Sequence, residues 1–339
     1  MSITRQRAVP LVAIPEPPAR PWRQGIIVLG ALAATAVALR AIDGAGIPQI
    51  RSFLLVFASL LIEALPFVLF GALVAAAMET FVPSRFFSRI AGLPRPLQMP
   101  VAGLGGFAFP VCECGSVPVA RRLSMRGIAP GAAITFMLAA PILNPIVLVS
   151  TAVAYRGRDV LWLMVVGRGI LGLVAALAVG WIVAKRSHRE LLKVPDDHHD
   201  PDERSQGPWK RFFGQLSSDF LMLGKYLVIG GAVASALQTF LPQAVLGTVA
   251  DTPVLSILAM MALAGILSLC SQSDAFVAAS FVQFRPAAQL AFLVFGPMVD
   301  AKLGFLYAGT FSRGFVRTVA IGVAAVVLAA ALWIEVLAG

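Results

Sequence analysis

The sequence predicts an all-α polytopic membrane protein, an inverted repeat with about seven full spans and two re-entrant hairpins of broken helix. Three observations carry that prediction. The 339 residues are 58% hydrophobic and only 13% charged, with the apolar residues gathered in blocks of about 20 or more, the length that crosses a hydrocarbon layer about 30 Å thick. Two of those blocks are interrupted by prolines, glycines and polar side chains. Segments of the first half also recur in the second at a nearly constant offset: Gly71 falls opposite Gly230 (159 positions), Cys112 opposite Cys270 (158) and Asn144 opposite Asp300 (156).

Taken in order, residues 1–24 hold Pro10, Pro15, Pro17, Pro18 and Pro21 among arginines. They are expected to form a disordered, uncleaved, cytoplasmic tail ahead of a first membrane helix at 25–42. Apolar blocks follow at 52–79, 97–120, 127–155 and 160–184, then at 219–241, 254–284, 287–311 and 314–337. Between the two groups lies the polar stretch 185–211, whose Lys185, Arg186, Arg189, Lys193, Lys210 and Arg211 assign it to the cytoplasm. Its DDHHD run, 196–200, reads as solvated linker rather than a metal sensor.

If every block crossed, five crossings would put that basic linker outside. The conflict disappears when the block around Cys112 enters and leaves on one face, since Arg85, Arg89 and Arg95 precede it and Arg121, Arg122 and Arg126 follow. Pro100, Gly103, Gly105, Gly106, Pro110 and Pro118 supply the breaks that such a hairpin needs. The expected units are repeat 1 at 52–184 with its hairpin at 97–126, and repeat 2 at 212–339 with its hairpin at 254–284. The repeat is legible in "GALVAAAMETFVP" (71–83) against "GGAVASALQTFLP" (230–242), and in Pro141 against Pro297.

Inverted repeats with discontinuous helices place a binding site where the broken segments meet. In the first tip, Ser116 is expected to cap a half-helix with Pro118 in its first turn, and Cys114 to sit just ahead of that helix. Cys112 and Cys114 would project to one side, where a soft ion could bridge them. The second tip offers Cys270, Ser271, Gln272, Ser273 and Asp274. If the tips face each other, three sulfurs (Cys112, Cys114 and Cys270, the candidate metal ligands) and two carboxylates (Glu113 and Asp274) converge, a set suited to a thiophilic cation or metalloid. Asn144 and Asp300, each three residues after a proline, are expected mid-span and lining the path, with Pro141, Pro145 and Pro297 as further breakers. Glu63 lies deep in its block and joins Glu113, Asp274 and Asp300 as a proton-coupling candidate. Arg168 and Lys225 read as snorkelling cations without a role, and Lys302 as a neutraliser of Asp300. Buried, inert cysteines and plain helix-to-helix hydrogen bonds from Asn144 and Asp300 are the alternatives.

The stretch "FPVCECGSVPVARRLSMRGIAPGAAITFMLAAPILNP" and the later "CSQSDAFVAASF" resemble the two signatures of the predicted-permease family that includes the organoarsenical efflux permease ArsP and the YraQ-like proteins. The resemblance spans about 52–311. It implies an inner-membrane permease, some relatives of which export trivalent arsenicals or other thiophilic solutes. It makes Pro110, Cys112, Cys114, Gly115, Pro118, Pro141, Asn144 and Pro145 motif positions. Glu113 enters on its own chemistry.

The expected function is therefore export of a small thiophilic solute, a trivalent arsenical or a soft metal ion, by secondary transport and without a cofactor. No GxxxxGK[ST] loop is present, so the energy comes from a gradient or a partner. Membrane lipids, the solute, and a second copy or an accessory membrane subunit are the expected partners. Nucleic acid is not, because the net charge of +10 sits in short loops facing an anionic leaflet. The alternatives are a membrane thiol oxidoreductase using Cys112 and Cys114, a membrane scaffold, or a permease for another metal ion or a small anion.

Overall fold

The computed structural model describes residues 48–82, 94–108, 111–184, 207–240 and 252–338, together with Gly30 and Gly92. The tail 1–24, the expected helix at 25–42, Pro110, the DDHHD run and most of the 185–211 linker lie outside the described residues.

Among the described residues two series of six helices follow one another in matching order. The first is α1 (Pro48–Phe81), α2 (Arg95–Ala108), α3 (Glu113–Met125), α4 (Pro130–Leu143), α5 (Pro145–Ala154) and α6 (Leu161–Val183). The second is α7 (Pro208–Phe240), α8 (Pro253–Leu267), α9 (Asp274–Ser280), α10 (Pro286–Phe295), α11 (Ala301–Thr310) and α12 (Arg313–Ala338). Among the described residues five helical stretches are long and apolar enough to cross a membrane: Gln49–Phe81, Pro130–Ala154, Leu161–Val183, Pro208–Thr239 and Arg313–Val336. The chain is an all-α polytopic membrane protein.

Proline sets many of the boundaries. Pro130, Pro145, Pro253 and Pro286 each open a helix at its first position, where the missing N–H would have had no partner. The blocks expected as single spans at 127–155 and 287–311 are both broken, at Asn144 and at residues 296–300. Pro145 pushes Asn144 out of helical geometry (φ −56°, ψ 124°). The Asn144 side chain then accepts the Ile146 N–H at 3.0 Å and caps α5, while Asp300 accepts the Leu303 N–H and caps α11 at 2.6 Å. These two residues, expected mid-span and lining a path, are equivalent helix caps in the two series.

The first hairpin tip also differs from the expectation. α3 begins at Glu113, so its N-cap is Cys112, whose Sγ accepts the Gly115 N–H at 3.4 Å. Neither Ser116 caps the helix nor does Cys114 precede it. Pro118 falls a full turn inside α3 and leaves the Cys114 carbonyl without its helical donor. Ser116 has another task. Pro141 in α4 cannot donate to the Met137 carbonyl, and the Ser116 hydroxyl lies 3.0 Å from that oxygen and 2.9 Å from the Glu113 carbonyl. Ser116→Ala would strand a fully buried acceptor at the α3–α4 contact. It is expected to lower stability by about 1–3 kcal/mol, read as an earlier thermal transition in detergent, with Ser116→Thr retaining most of the wild-type value.

α1 and α7 run along each other. α4 packs against α2, α3 and α6, and every residue of it is buried. α10 sits between α8 and α12 with 287–294 buried, which explains why α4 and α10 are apolar all round. The two arms of the first hairpin, α2 and α3, both pack on α4. The second arms reach across: α3 touches α11, and α9 touches α5. At one end, Arg122 lies 3.1 Å from both carboxylate oxygens of Asp219, and Arg126 lies 3.3 Å from Glu79, tying α3 to α7 and α1. Trp162, Trp181 and Trp333 are exposed on the outer surface, as interfacial aromatics are.

Candidate functional site

The crossing of α3 and α11 brings charges from the two halves together. Glu113, the first residue of α3, is 2% exposed. Its Oε1 lies 3.1 Å from Nζ of Lys302, and its Oε2 accepts the Ser271 hydroxyl at 3.0 Å. Lys302 also donates to the carbonyls of Ser268 (2.9 Å) and Leu269 (3.3 Å). Those carbonyls are presented by a turn in which Ser268 adopts φ 48°, ψ 41°, a left-handed conformation that costs a β-carbon-bearing residue on the order of 1–3 kcal/mol. The Ser268 hydroxyl secures the turn, accepting the Ala301 N–H and donating to the Gly265 carbonyl, each at 3.2 Å. Lys302 is therefore more than a neutraliser of Asp300: its ammonium sits in an all-oxygen cage with Glu113 as its principal anion.

A second buried pair lies beyond Ser271. Arg168 forks onto Asp274, Nη1 to Oδ1 at 2.9 Å and Nη2 to Oδ2 at 2.7 Å. The same nitrogens donate to the Thr151 hydroxyl (2.9 Å) and the Ser271 carbonyl (3.0 Å). The snorkelling expectation for Arg168 is overturned. It enters seven residues after the start of α6, about 10 Å along the helix, and is 0% exposed. Lys225, by contrast, is exposed. Ser271 joins the two pairs, giving its hydroxyl to Glu113 and its carbonyl to Arg168.

Beside the Glu113–Lys302 pair is a cleft lined by Leu60, Glu63, Ala64 and Phe67 of α1 and by Cys112, Glu113, Cys114, Cys270 and Lys302. All three cysteines are free and buried. The space open to a water centre is about 10 Å³, room for roughly one molecule. Glu63 is exposed and stands at the mouth. Gly115 permits the close approach of the cleft's walls: a β-carbon on it would lie 3.3 Å from the Gly71 Cα and 3.2 Å from the Phe67 carbonyl, so α1 and α3 meet backbone to backbone.

Several expected site residues are elsewhere. Asp274 is held by Arg168 and does not line the cleft. Ser273 closes its own turn on the Cys270 carbonyl at 3.1 Å. Asn144 caps α5 away from the cleft lining. Among the described residues no group of three or more His, Cys, Asp or Glu is disposed to hold a metal ion. Cys112, Cys114 and Cys270 thus share a wall without forming a ready-made chelate in this closed state. Arg168 and Lys302 are the residues sequence reasoning passed over. The signal was present, since a cation well inside an apolar block needs a buried anion, and Glu113 and Asp274 were already in view.

A family model described as a predicted permease matches residues 49–336. The UPF0718 protein YcgR of Bacillus subtilis is 38% identical over 284 residues, 83% of this chain and 96% of that protein. A protein of Streptococcus mutans named as a putative two-component membrane permease complex subunit is 33% identical over 268 residues, 78% of this chain and 88% of that protein. No solved structure matches the chain. With its apolar helices and a closed cleft where its two halves meet, the chain belongs to the predicted-permease family that includes ArsP-like members and is a multi-pass membrane permease.

Proposed function

We propose that this permease exports a small thiophilic solute, a trivalent arsenical or a soft metal ion, by secondary transport across the inner membrane, with the tail 1–24 and the linker 185–211 in the cytoplasm. The observation that carries the reading is the shared cleft: Cys112 and Cys114 of the first half and Cys270 of the second line it beside a carboxylate–ammonium pair. A hydroxylated trivalent arsenical exchanges each As–OH for As–S with release of water, taking its thiol proton along, so paired thiols capture it reversibly. The hollow has room for about one water molecule, so loading a larger solute requires the halves to part. Entry of the two hairpins from opposite faces of the bilayer would make that parting alternate between sides. Glu63 at the mouth and Glu113 within are the carboxylates placed to exchange protons against the solute. The name of the streptococcal relative supports an accessory membrane subunit as partner.

The test is a tolerance panel in a sensitive bacterial host carrying the wild-type chain or Cys112→Ser, Cys114→Ser or Cys270→Ser. It covers arsenite, methylarsenite, cadmium, zinc and copper. For the transported compound each substitution is expected to reduce tolerance about tenfold, the effect of losing about 1.4 kcal/mol of binding. Equal tolerance in all four strains for every compound would remove the thiophilic reading.

A further inference from the structure

The last helices of the two series, α6 and α12, pack against each other. They approach closely at Gly322, where a β-carbon would lie 3.1 Å from Cγ2 of Val179. Beside that contact a groove of about 450 Å³ opens, lined by Ile182 from the end of α6 and by Gly314, Arg317, Thr318, Ile321 and Gly322 from the first turns of α12. Ile182, Ile321 and the neighbouring Trp181 are exposed, so the groove belongs to the outer surface of the bundle, the surface that meets the bilayer.

The groove is apolar at one end and cationic at the other. Arg317 is exposed and lies four residues into the apolar stretch Arg313–Val336, about 6 Å along the helix from its start. Ile321 and Gly322 follow about one turn deeper. A cation at headgroup depth with an apolar trough behind it repeats the order of a phospholipid, phosphate first and acyl chain after. Neither wall of the groove answers the charge. α6 contains no Asp or Glu, and the one acid of α12, Glu335, stands about 27 Å further along the helix and is paired with Arg285. The Thr318 hydroxyl is turned back onto the Gly314 carbonyl at 2.8 Å, which leaves the guanidinium as the group that meets a ligand entering the groove.

We propose that this groove binds one anionic phospholipid, its phosphate on the Arg317 guanidinium and an acyl chain along Ile182 and Ile321, so that the lipid bridges the last helices of the two halves. The planar guanidinium offers paired N–H donors to phosphate oxygens. A zwitterionic lipid carries its own cation beside the phosphate, which weakens the attraction. Free phosphate has no chain to cover the apolar end. The proposal goes beyond export of the solute and depends on neither the cysteines nor the direction of transport.

The experiment is native mass spectrometry of the full chain in detergent, titrated with phosphatidylglycerol or with phosphatidylcholine of the same acyl chains. Wild type is expected to hold one phosphatidylglycerol at concentrations about tenfold below those needed for phosphatidylcholine. Arg317→Gln should bring the two lipids level. Thr318→Phe fills the groove while leaving the cation in place, and should weaken phosphatidylglycerol about tenfold. Should that variant fail to fold, Ile321→Trp fills the same space from the exposed side. Arg313→Gln removes a charge one turn earlier that does not line the groove, and should bind as the wild type does. Thermal transitions in the same detergent confirm that the variants compared are folded. The proposal is overturned if the wild type holds both lipids equally or holds none because another part of the chain fills the groove. It is equally overturned if inorganic phosphate displaces the lipid, if a folded groove-filling variant binds like the wild type, or if Arg313→Gln loses as much as Arg317→Gln, which would make the effect one of surface charge. The tolerance panel and this titration share no variant, so the two readings fail separately.

Discussion

Arg168→Met is expected to destabilise the folded chain by about 3–5 kcal/mol, the largest loss of any single side-chain change in the two buried pairs. The reason is the anion left behind. Asp274 is buried and receives both arms of the guanidinium at 2.9 and 2.7 Å. Removing the arginine also takes a donor from the Ser271 carbonyl inside the bundle, while the Thr151 hydroxyl keeps its bond to the Val147 carbonyl at 2.8 Å. The carboxylate is then an uncompensated charge in a place water does not reach. The measurement is the thermal or SDS-induced unfolding midpoint of purified protein in micelles, compared with Asp274→Leu and with the double variant Arg168→Met, Asp274→Leu. Replacing both charges should recover much of the loss, because the desolvation of two ions disappears along with their attraction. A single variant that unfolds with the wild type would contradict the pairing.

Gly71→Val should be nearly as damaging, for steric rather than electrostatic reasons. A β-carbon at position 71 would lie 2.3 Å from the Gly115 Cα and 2.7 Å from the Gly115 carbonyl oxygen. Both contacts are with backbone, which cannot rotate aside. Overpacking in ordinary cores costs about 1–3 kcal/mol, and the displacement of one helix from another puts this change at or above the upper end. Since α1 carries Glu63 and Phe67 and α3 carries Cys112 to Cys114, the same displacement opens the cleft and exposes its thiols to alkylation. Gly230→Ala provides the comparison. Its β-carbon meets the Lys302 backbone at 2.9 Å, a milder overlap, so its unfolding midpoint should fall between that of Gly71→Val and that of the wild type. Equal midpoints for all three proteins would show that the helices have more room than their separation implies.

Much of the architecture follows from local chemistry. Hydrocarbon thickness makes the apolar blocks recognisable, and proline at 130, 145, 253 and 286 marks helix starts because it brings no N–H to a turn that needs none. Inside the blocks at 127–155 and 287–311 the breaks are harder to read: Asn144 and Asp300 each stand before one, and an oxygen on a short side chain there caps the helix that follows. Ser116 illustrates the reverse limit. Its position suggested a local cap, but the acceptor it serves is the Met137 carbonyl freed by Pro141, and nothing within a few residues of Ser116 announces that.

What the sequence by itself determined is the inventory: helices of bilayer length, a doubled order of elements, two interrupted segments, three cysteines and a few charges too deep to be solvated. Only the tertiary structure decided the partnerships, Arg168 with Asp274 and Lys302 with Glu113. A buried charge states its need for a counter-charge in its own chemistry, but which one it meets depends on how helices from opposite halves cross, and that is settled by the packing of the whole bundle.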